Sequence, residues 1–154
     1  MIGYPGFRFN TEGMFLGEIV NDTIPYVGSG LDDAPILLYR NFIATQFLPH
    51  NRLEKGFVKY TGNDGSVDPD LKFTALGRTL DAFQHYCIAV SKESFMVCDL
   101  QGHRLDKEVF YLFDPQANSN TSKKFGYWDL GPNAIKAYLN QHKCNSLCRA
   151  IGIN

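Results

Sequence analysis

The chain has 154 residues, of which 44% are hydrophobic, and its 15 Lys and Arg residues against 16 Asp and Glu residues give a formal net charge of −1. This length supports one hydrophobic core and predicts a single domain, while the near-zero charge disfavours nucleic acid and anionic membranes as partners. The N-terminus lacks the basic start and apolar run of a signal peptide, and no stretch approaches the roughly 18 apolar residues of a membrane span. We therefore expect a cytoplasmic protein whose four cysteines are ligands or core residues rather than disulfides.

The N-terminal part of the chain predicts short β-structure. Residues 1–34 are rich in glycine and polar residues with a few short apolar clusters, which favours loops and short strands. Residues 35–48 are dense in β-favouring apolar residues and lack glycine, so they predict one or two strands that end before Pro49. Residues 56–60 predict a further short extended or helical piece, and residues 61–65 have the composition of a turn.

A helix is predicted from Asp68 onward. Leu76, Leu80, Phe83 and Cys87 recur at the spacing of one helix face. Asp68 or Asp70 is the expected N-cap of this helix.

Two apolar runs, residues 94–98 and 109–113, predict an antiparallel hairpin joined by a polar loop over residues 102–108. A last amphipathic helix is predicted from about Pro132 to Cys148, with Ile135, Leu139 and Tyr138 on its inner face.

Each strand of the predicted hairpin is followed by an aspartate, Asp99 in Asp99-Leu100-Gln101-Gly102 and Asp114 in Asp114-Pro115-Gln116. A carboxylate at the edge of a core is costly unless its charge is used or paired. Two carboxylates and two amides are oxygen ligands suited to Mg²⁺ bound with phosphate oxygens. Alternatively, these are aspartates that end strands at turns, since Asp-Pro is a common turn dipeptide.

Histidine and cysteine are concentrated near the C-terminus. Cys144 and Cys148 lie one helical turn apart, and His142 precedes them by two positions, so it reaches the same ion only if the helix end distorts. His85, which lies opposite the apolar face of the first helix, is the best candidate for the fourth ligand of a tetrahedral structural zinc site. Buried free cysteines without a metal are the alternative.

The segment Gly126-Tyr127-Trp128-Asp129-Leu130-Gly131 is a glycine loop before the last helix. It could offer backbone N–H groups to a phosphate, but it follows no strand of a βαβ unit and lacks a P-loop lysine. A plain loop explains it equally well.

Taken together and in this order, these motifs resemble the C-terminal lobe of the alpha-type (atypical) protein kinases, the family of myosin heavy chain kinase and elongation factor 2 kinase. The resemblance runs from about Phe42 to the C-terminus. The motifs that carry it are Phe57-Val58-Lys59-Tyr60, Asn63, Ala82-Phe83-Gln84-His85, Val97-Cys98-Asp99-Leu100-Gln101-Gly102, Asp114-Pro115-Gln116, Phe125-Gly126, Asp129-Leu130-Gly131, and His142, Cys144, Asn145 and Cys148.

The resemblance implies an α+β fold, with the C-lobe hairpin and helices around a structural zinc ion and a remnant of the N-lobe sheet in residues 1–40. It implies an ATP- and Mg²⁺-dependent kinase that phosphorylates Ser or Thr of a protein substrate. The implied roles are the catalytic aspartate for Asp99, magnesium and phosphate ligands for Gln101 and Asp114, a polar residue facing the nucleotide for Asn63, a substrate-side glycine loop for Gly126 and Gly131, and zinc ligands for His85, His142, Cys144 and Cys148.

The sequence also departs from the family's pattern. The first lysine is Lys55, so the N-lobe lysine that holds the ATP phosphates has no counterpart, and we expect an N-terminally truncated kinase domain. Thr45 or Gln46 stands at the hinge glutamate, and Ala134 at the last glycine of the C-terminal glycine loop. These departures keep open a zinc-stabilised pseudokinase that binds or regulates a partner without catalysis. A zinc-dependent nucleic-acid binder is a third hypothesis, supported by the Cys and His spacing alone.

Overall fold

The computed structural model of the chain describes residues 5–20, 40–48, 57–104, 109–121 and 123–153. Within these residues lie eight strands and three helices, so the expected mixture of α and β structure is confirmed. In chain order they are β1 (Gly6–Phe9), β2 (Phe15–Glu18), β3 (Asn41–Ala44), β4 (Val58–Lys59), α1 (Ala75–Val90), β5 (Phe95–Cys98), β6 (Gln101–Arg104), β7 (Val109–Phe113), β8 (Gln116–Ser119), α2 (Pro132–Gln141) and α3 (Ser146–Ala150).

The chain divides into two units, residues 10–49 and a larger unit of residues 1–9 with 50–154. In the smaller unit β2 and β3 pair antiparallel, with Phe15 opposite Ala44, and the Asn10 side chain donates a 2.8 Å hydrogen bond to the Gln46 carbonyl oxygen. Strand β3 falls in the β-rich run predicted over 35–48, of which 35–39 lie outside the described residues. The assignment of residues 1–40 to a remnant N-lobe of one truncated domain stays a prediction.

The larger unit contains a four-stranded sheet in the order β1-β7-β6-β4 and a two-stranded sheet of β5 and β8. Strand β1 is parallel to β7, and the remaining pairs are antiparallel. Strands β5 and β6 follow each other in the chain through Asp99 and Leu100, and β7 and β8 through Asp114 and Pro115. The result is one long hairpin that bends at the same level in both of its arms.

The strand pairing predicted for this hairpin is wrong. Strand β5 pairs with β8 rather than with β7, and the partner of β7 is β6, which the sequence placed partly in the connecting loop. Gly102 explains how this polar segment continues as a strand: a Cβ atom at this position would lie 2.2 Å from the Tyr111 carbonyl oxygen. Only glycine allows β6 to approach β7 this closely.

Helix α1 presents the predicted apolar face to the core, with Leu76, Leu80 and Cys87 buried. The predicted N-cap is wrong, because Thr74 caps the helix by accepting a hydrogen bond from the Gly77 amide. Asp68 instead accepts a hydrogen bond from the Asp70 amide in the turn that precedes the helix.

The helix predicted over 132–148 is two helices, α2 and α3. Pro132 lies in the first turn of α2, as expected, and Ile135 and Tyr138 are buried. Helix α2 ends at Gln141, and the next residue, His142, is extended with a ψ of 135°. Asn145 starts α3 by accepting hydrogen bonds from the amides of Leu147 and Cys148. The C-terminal apolar pattern could not distinguish one helix from two.

Helix α1 and strand β5 each contribute to two clusters of buried side chains. The cluster on the side of β6 and β7 contains Tyr60, Leu76, Leu80, Cys87, Val97, Leu100, Phe110 and Leu112. The cluster on the side of α2 contains Ile88, Met96, Cys98, Ala134, Ile135 and Tyr138. Among the described residues, no helix is both long enough and apolar enough to cross a membrane.

Candidate active site and metal cluster

The bend of the long hairpin brings the two predicted aspartates to one place. Gln101 pairs with Phe113 on one side of the bend, and Cys98 pairs with Gln116 on the other, so Asp99 and Asp114 occupy matching positions in the two arms. Both adopt left-handed backbone conformations, with φ values of 54° and 48°. Because aspartate tolerates this region better than most residues, each arm can turn here without a glycine.

A cavity of about 270 Å³ lies beside this bend. Its described lining residues are Lys59, Asn63, Asp99, Gln116 and Trp128. The Asp99 carboxylate, although mostly buried, forms an ion pair with the Lys59 ammonium group, whose side chain is half exposed. The cavity therefore combines a compensated carboxylate with a cation that solvent and a ligand can reach.

Four residues were predicted to contact the nucleotide, phosphates or metal, and the structure groups them unevenly. Asp99 and Asn63 line the cavity together. Gln101 lies in β6 with its Cα opposite that of Lys59, and Asp114 is exposed at the bend. Neither Gln101 nor Asp114 is among the described residues that line the cavity.

Asn63 connects the turn over residues 61–65 to the glycine loop. Its Nδ2 donates a 2.9 Å hydrogen bond to the Trp128 carbonyl oxygen, and its own carbonyl oxygen accepts a 2.7 Å hydrogen bond from Asn118. Asn63 is therefore held to the glycine loop at Trp128 and to strand β8 at Asn118.

Cys98 immediately precedes Asp99, but it is fully buried. Burial, and then the negative charge of Asp99, raises the pKa of the Cys98 thiol to about 12. The thiol therefore stays protonated near neutral pH, which argues against a role as a nucleophile.

The glycine loop is held by Asp129. This side chain is 1% exposed and accepts hydrogen bonds from the Ser119 hydroxyl and amide and from the amides of Phe125 and Gly131. Burial alone would raise the pKa of Asp129, but these hydrogen bonds outweigh it and lower the pKa to about 2. Gly131 has a φ of 76° directly before Pro132 begins α2. These contacts hold the loop in place, and its Trp128 is one of the residues that line the cavity.

The four predicted zinc ligands lie together. The ligand atoms of His85, His142, Cys144 and Cys148 are all within 4.8 Å of one another. Cys144 Sγ is 3.7 Å from His85 Nδ1, and Cys148 Sγ is 3.6 Å from His142 Nε2. Zinc bonds of about 2.3 Å to sulfur and about 2.0 Å to nitrogen at the tetrahedral angle place S and N about 3.5 Å apart, so this donor set fits a zinc ion.

The break between α2 and α3 brings His142, Cys144 and Cys148 together. Asn145 caps α3, and its Nδ2 donates a 3.0 Å hydrogen bond to the Arg78 carbonyl oxygen in α1, the helix that carries His85. Burial, and then the nearby His142, lowers the pKa of His85, which favours the neutral imidazole that binds metals.

The sequence suggested Gln116 as one of two amide ligands of Mg²⁺, but it indicated no role for Lys59 or Trp128, which also line the cavity. Lys59 lies within the family-like motif Phe57-Val58-Lys59-Tyr60, so that motif was a signal for it. The signal for Trp128 was weaker, since it was only a large aromatic residue inside a glycine loop.

The similarity of this chain to known proteins identifies its class. The sequence model of the alpha-kinase family matches residues 33–148. Alpha-protein kinase vwkA of Dictyostelium discoideum is 32% identical over 97 residues, which cover 63% of this chain and 15% of that protein. Human eukaryotic elongation factor 2 kinase is 30% identical over 103 residues, which cover 66% of this chain and 13% of the kinase.

Solved structures give the same result. An alpha kinase from Entamoeba histolytica has a TM-score of 0.59 and 28% identity, covering 74% of this chain and 39% of its own. The alpha-kinase domain of myosin heavy chain kinase A in complex with ADP has a TM-score of 0.52 and 28% identity, covering 66% of this chain and 38% of its own. This chain belongs to the alpha-kinase family, and that membership supports a protein kinase function. It spans well under half of either structure and 15% or less of the length of each of these two relatives.

Proposed function

We propose that this chain is the catalytic part of an alpha-type serine/threonine protein kinase, which transfers the γ-phosphoryl group of ATP to a hydroxyl group of a protein substrate. The observation that carries the proposal is the cavity in which the Asp99 and Lys59 side chains form an ion pair beside Asn63 and Gln116. A carboxylate next to a reachable cation matches the needs of phosphoryl transfer, which depends on positioning and charge neutralisation.

In this proposal Asp99 orients the acceptor hydroxyl group and takes its proton. The hydroxyl oxygen forms a bond to the γ-phosphorus as the bond from that phosphorus to the β–γ bridging oxygen breaks, and ADP leaves. The half-exposed Lys59 ammonium group contacts the oxygens of the transferred group and offsets their charge. Asn63 faces the nucleotide from the cavity wall.

Gln101 and Asp114 are the proposed ligands of the phosphate-bound Mg²⁺, since both lie at or next to the bend that carries Asp99. Carboxylate and amide oxygens suit this ion. Mg²⁺, when bound, neutralises phosphate charge.

We assign His85, His142, Cys144 and Cys148 to a structural zinc site. Four protein ligands complete a tetrahedral ion and leave no open position for chemistry. The site connects α1 to the α2–α3 break, so it supports the part of the fold that carries the glycine loop.

A zinc-stabilised pseudokinase is the second candidate. The observation in its favour is that no lysine precedes Lys55, so no counterpart of the family's N-lobe lysine is present in the chain. Such a protein would hold a partner through this surface without turning over ATP.

Phosphate transfer from γ-labelled ATP with Mg²⁺ to a basic protein substrate tests the proposal, and Asp99→Asn is the matched variant because asparagine keeps the left-handed backbone accessible. We expect transfer by the unmodified chain and a loss of at least about a hundredfold in the variant. Saturable ATP binding without transfer by either protein would favour the pseudokinase instead.

A further inference from the structure

Next to the metal cluster lies a buried polar group that the proposed roles do not use, formed by Asp81 of α1 and Tyr138 of α2. Asp81 is 7% exposed and Tyr138 is 3% exposed. The Tyr138 hydroxyl group donates to Asp81, with its oxygen 3.0 Å from Oδ1 and 2.8 Å from the carbonyl oxygen. A buried carboxylate needs such partners, because an uncompensated charge is costly to bury.

The same carboxylate contacts one of the proposed zinc ligands. Asp81 Oδ1 is 3.0 Å from His142 Nδ1, whereas Nε2, the other ring nitrogen of His142, is the one that lies 3.6 Å from Cys148 Sγ. The Tyr138 hydroxyl oxygen also lies 3.1 Å from Nδ1. Because this hydroxyl group donates to Asp81, both groups that face Nδ1 can accept a hydrogen bond from it. Nδ1 therefore carries the proton, and Nε2 presents its lone pair to the cluster.

We infer that Asp81 is a positioning residue for the metal: its carboxylate fixes the tautomer and ring orientation of His142, and Tyr138 holds that carboxylate in place. The inference rests on the zinc site proposed above. A carboxylate that accepts the distal N–H of a ligating histidine also raises the basicity of the ligand, and loss of such a partner typically weakens metal binding about 10–100-fold.

The surroundings of Asp81 are compatible with its charge. A small cavity of about 50 Å³ is bordered by Asp81, Tyr138 and His142 together with Lys72 and Gln141. Lys72 places a cationic side chain at the edge of this group. The alternative role for Asp81 is an ion pair with a protonated His142 that contributes to packing and has no effect on metal affinity.

The test is the zinc affinity of the purified chain, measured by competition with a chromophoric chelator, in Asp81→Ala, Asp81→Asn and Tyr138→Phe. Asp70→Asn is the matched control, because it makes the same chemical change at an exposed carboxylate. We expect Asp81→Ala to weaken zinc binding about 10–100-fold. Asp81→Asn should lose less, since its amide oxygen still accepts the Nδ1–H bond, and Tyr138→Phe should lose about threefold. The control should match the unmodified chain.

The Co²⁺-substituted proteins provide a spectroscopic readout that simple packing would leave unchanged. In Asp81→Ala the Nδ1–H group keeps only the Tyr138 hydroxyl oxygen as an acceptor, so the orientation of the His142 ring should change and the d–d bands should shift. The bands of Asp81→Asn should stay close to those of the unmodified protein. A zinc affinity within twofold of the unmodified chain in Asp81→Ala, with unshifted bands, would overturn the inference. If Asp81→Ala fails to fold, an affinity within twofold in Tyr138→Phe would overturn it. Absence of tight zinc binding by the unmodified chain would instead overturn the proposed zinc site.

Discussion

The hairpin bend and the histidine–cysteine cluster are built in opposite ways. At the bend, a cavity of about 270 Å³ exposes one cation and leaves room for a ligand beside Asp99. In the cluster, four ligand atoms lie within 4.8 Å of one another, which is space for one ion and no more. Residues with metal-binding chemistry therefore occur in two settings in one chain. One is a closed site with room for a single ion, which we propose to be structural zinc, and the other is an open site, which we propose to receive the substrate.

The largest effect should come from emptying the closed site. Cys148→Ala removes one of four ligands, and we expect it to lose zinc and about 5 kcal/mol of folding free energy, a fall in melting temperature of about 10–20 °C. Thermal unfolding with metal analysis measures both.

Cys87→Ala is the control for this substitution, because Cys87 is a buried cysteine in the hydrophobic core outside the cluster. It should keep its zinc and melt within a few degrees of the unmodified chain. Equal melting temperatures for the two variants would contradict a structural role for the metal.

Substitutions in the open site should lower phosphotransfer activity and leave the melting temperature unchanged. Asp114→Asn keeps a residue that tolerates a φ of 48° but removes a proposed ligand of Mg²⁺. We expect at least about a tenfold loss of phosphotransfer at limiting Mg²⁺, partly recovered at high Mg²⁺, with an unchanged melting temperature. A titration of activity against Mg²⁺ checks this, and an unshifted Mg²⁺ dependence would rule out Asp114 as a ligand.

Asp129 holds the glycine loop beside the open site through the hydrogen bonds that it accepts. Its pKa is lowered from 3.8 to about 2, so its contribution is complete above about pH 4 and is lost as the pH falls toward 2. The shift corresponds to about 2 kcal/mol. Urea unfolding should therefore show Asp129→Asn less stable than the unmodified chain at pH 6, with a smaller difference at pH 2.5. A difference that does not change with pH would refute the account of the loop.

The smallest effect is expected at Trp128. Its side chain lines the cavity and is 56% exposed, whereas its carbonyl oxygen, which accepts from Asn63, is independent of the side chain. Trp128→Ala should raise the KM for a protein substrate up to about tenfold. Trp128→Phe should have a KM close to that of the unmodified chain, because it keeps an aromatic ring. An unchanged KM in Trp128→Ala would place substrate contacts elsewhere.

These two regions also mark what the sequence could predict. Residue type and spacing made Cys144, Cys148, His142 and His85 candidates for one zinc site, with buried free cysteines as the alternative, and the family resemblance favoured zinc. The break that brings these residues together could not be predicted, since the apolar positions Ile135 and Tyr138 fit a continuous helix. The break comes from the extended backbone at His142 and the cap at Asn145.

For the hairpin, the apolar runs at 94–98 and 109–113 located two strands but not their partners. Pairing depends on the bend at Asp99 and on the close approach at Gly102, and both are long-range features that local propensity does not encode. The ion pair of Asp99 with Lys59 could not be predicted for the same reason. It depends on the pairing of β4 with β6, which are more than forty residues apart in the chain.

Phosphotransfer by folded, zinc-loaded Asp99→Asn, compared with the unmodified chain, tests whether Asp99 acts in the chemistry and not in the stability of the fold. We predict one equivalent of zinc and equal melting temperatures in both proteins, with transfer only in the unmodified chain. Transfer that persists in Asp99→Asn, or a variant that loses zinc and unfolds, would contradict the separation of an open chemical site from a closed structural one.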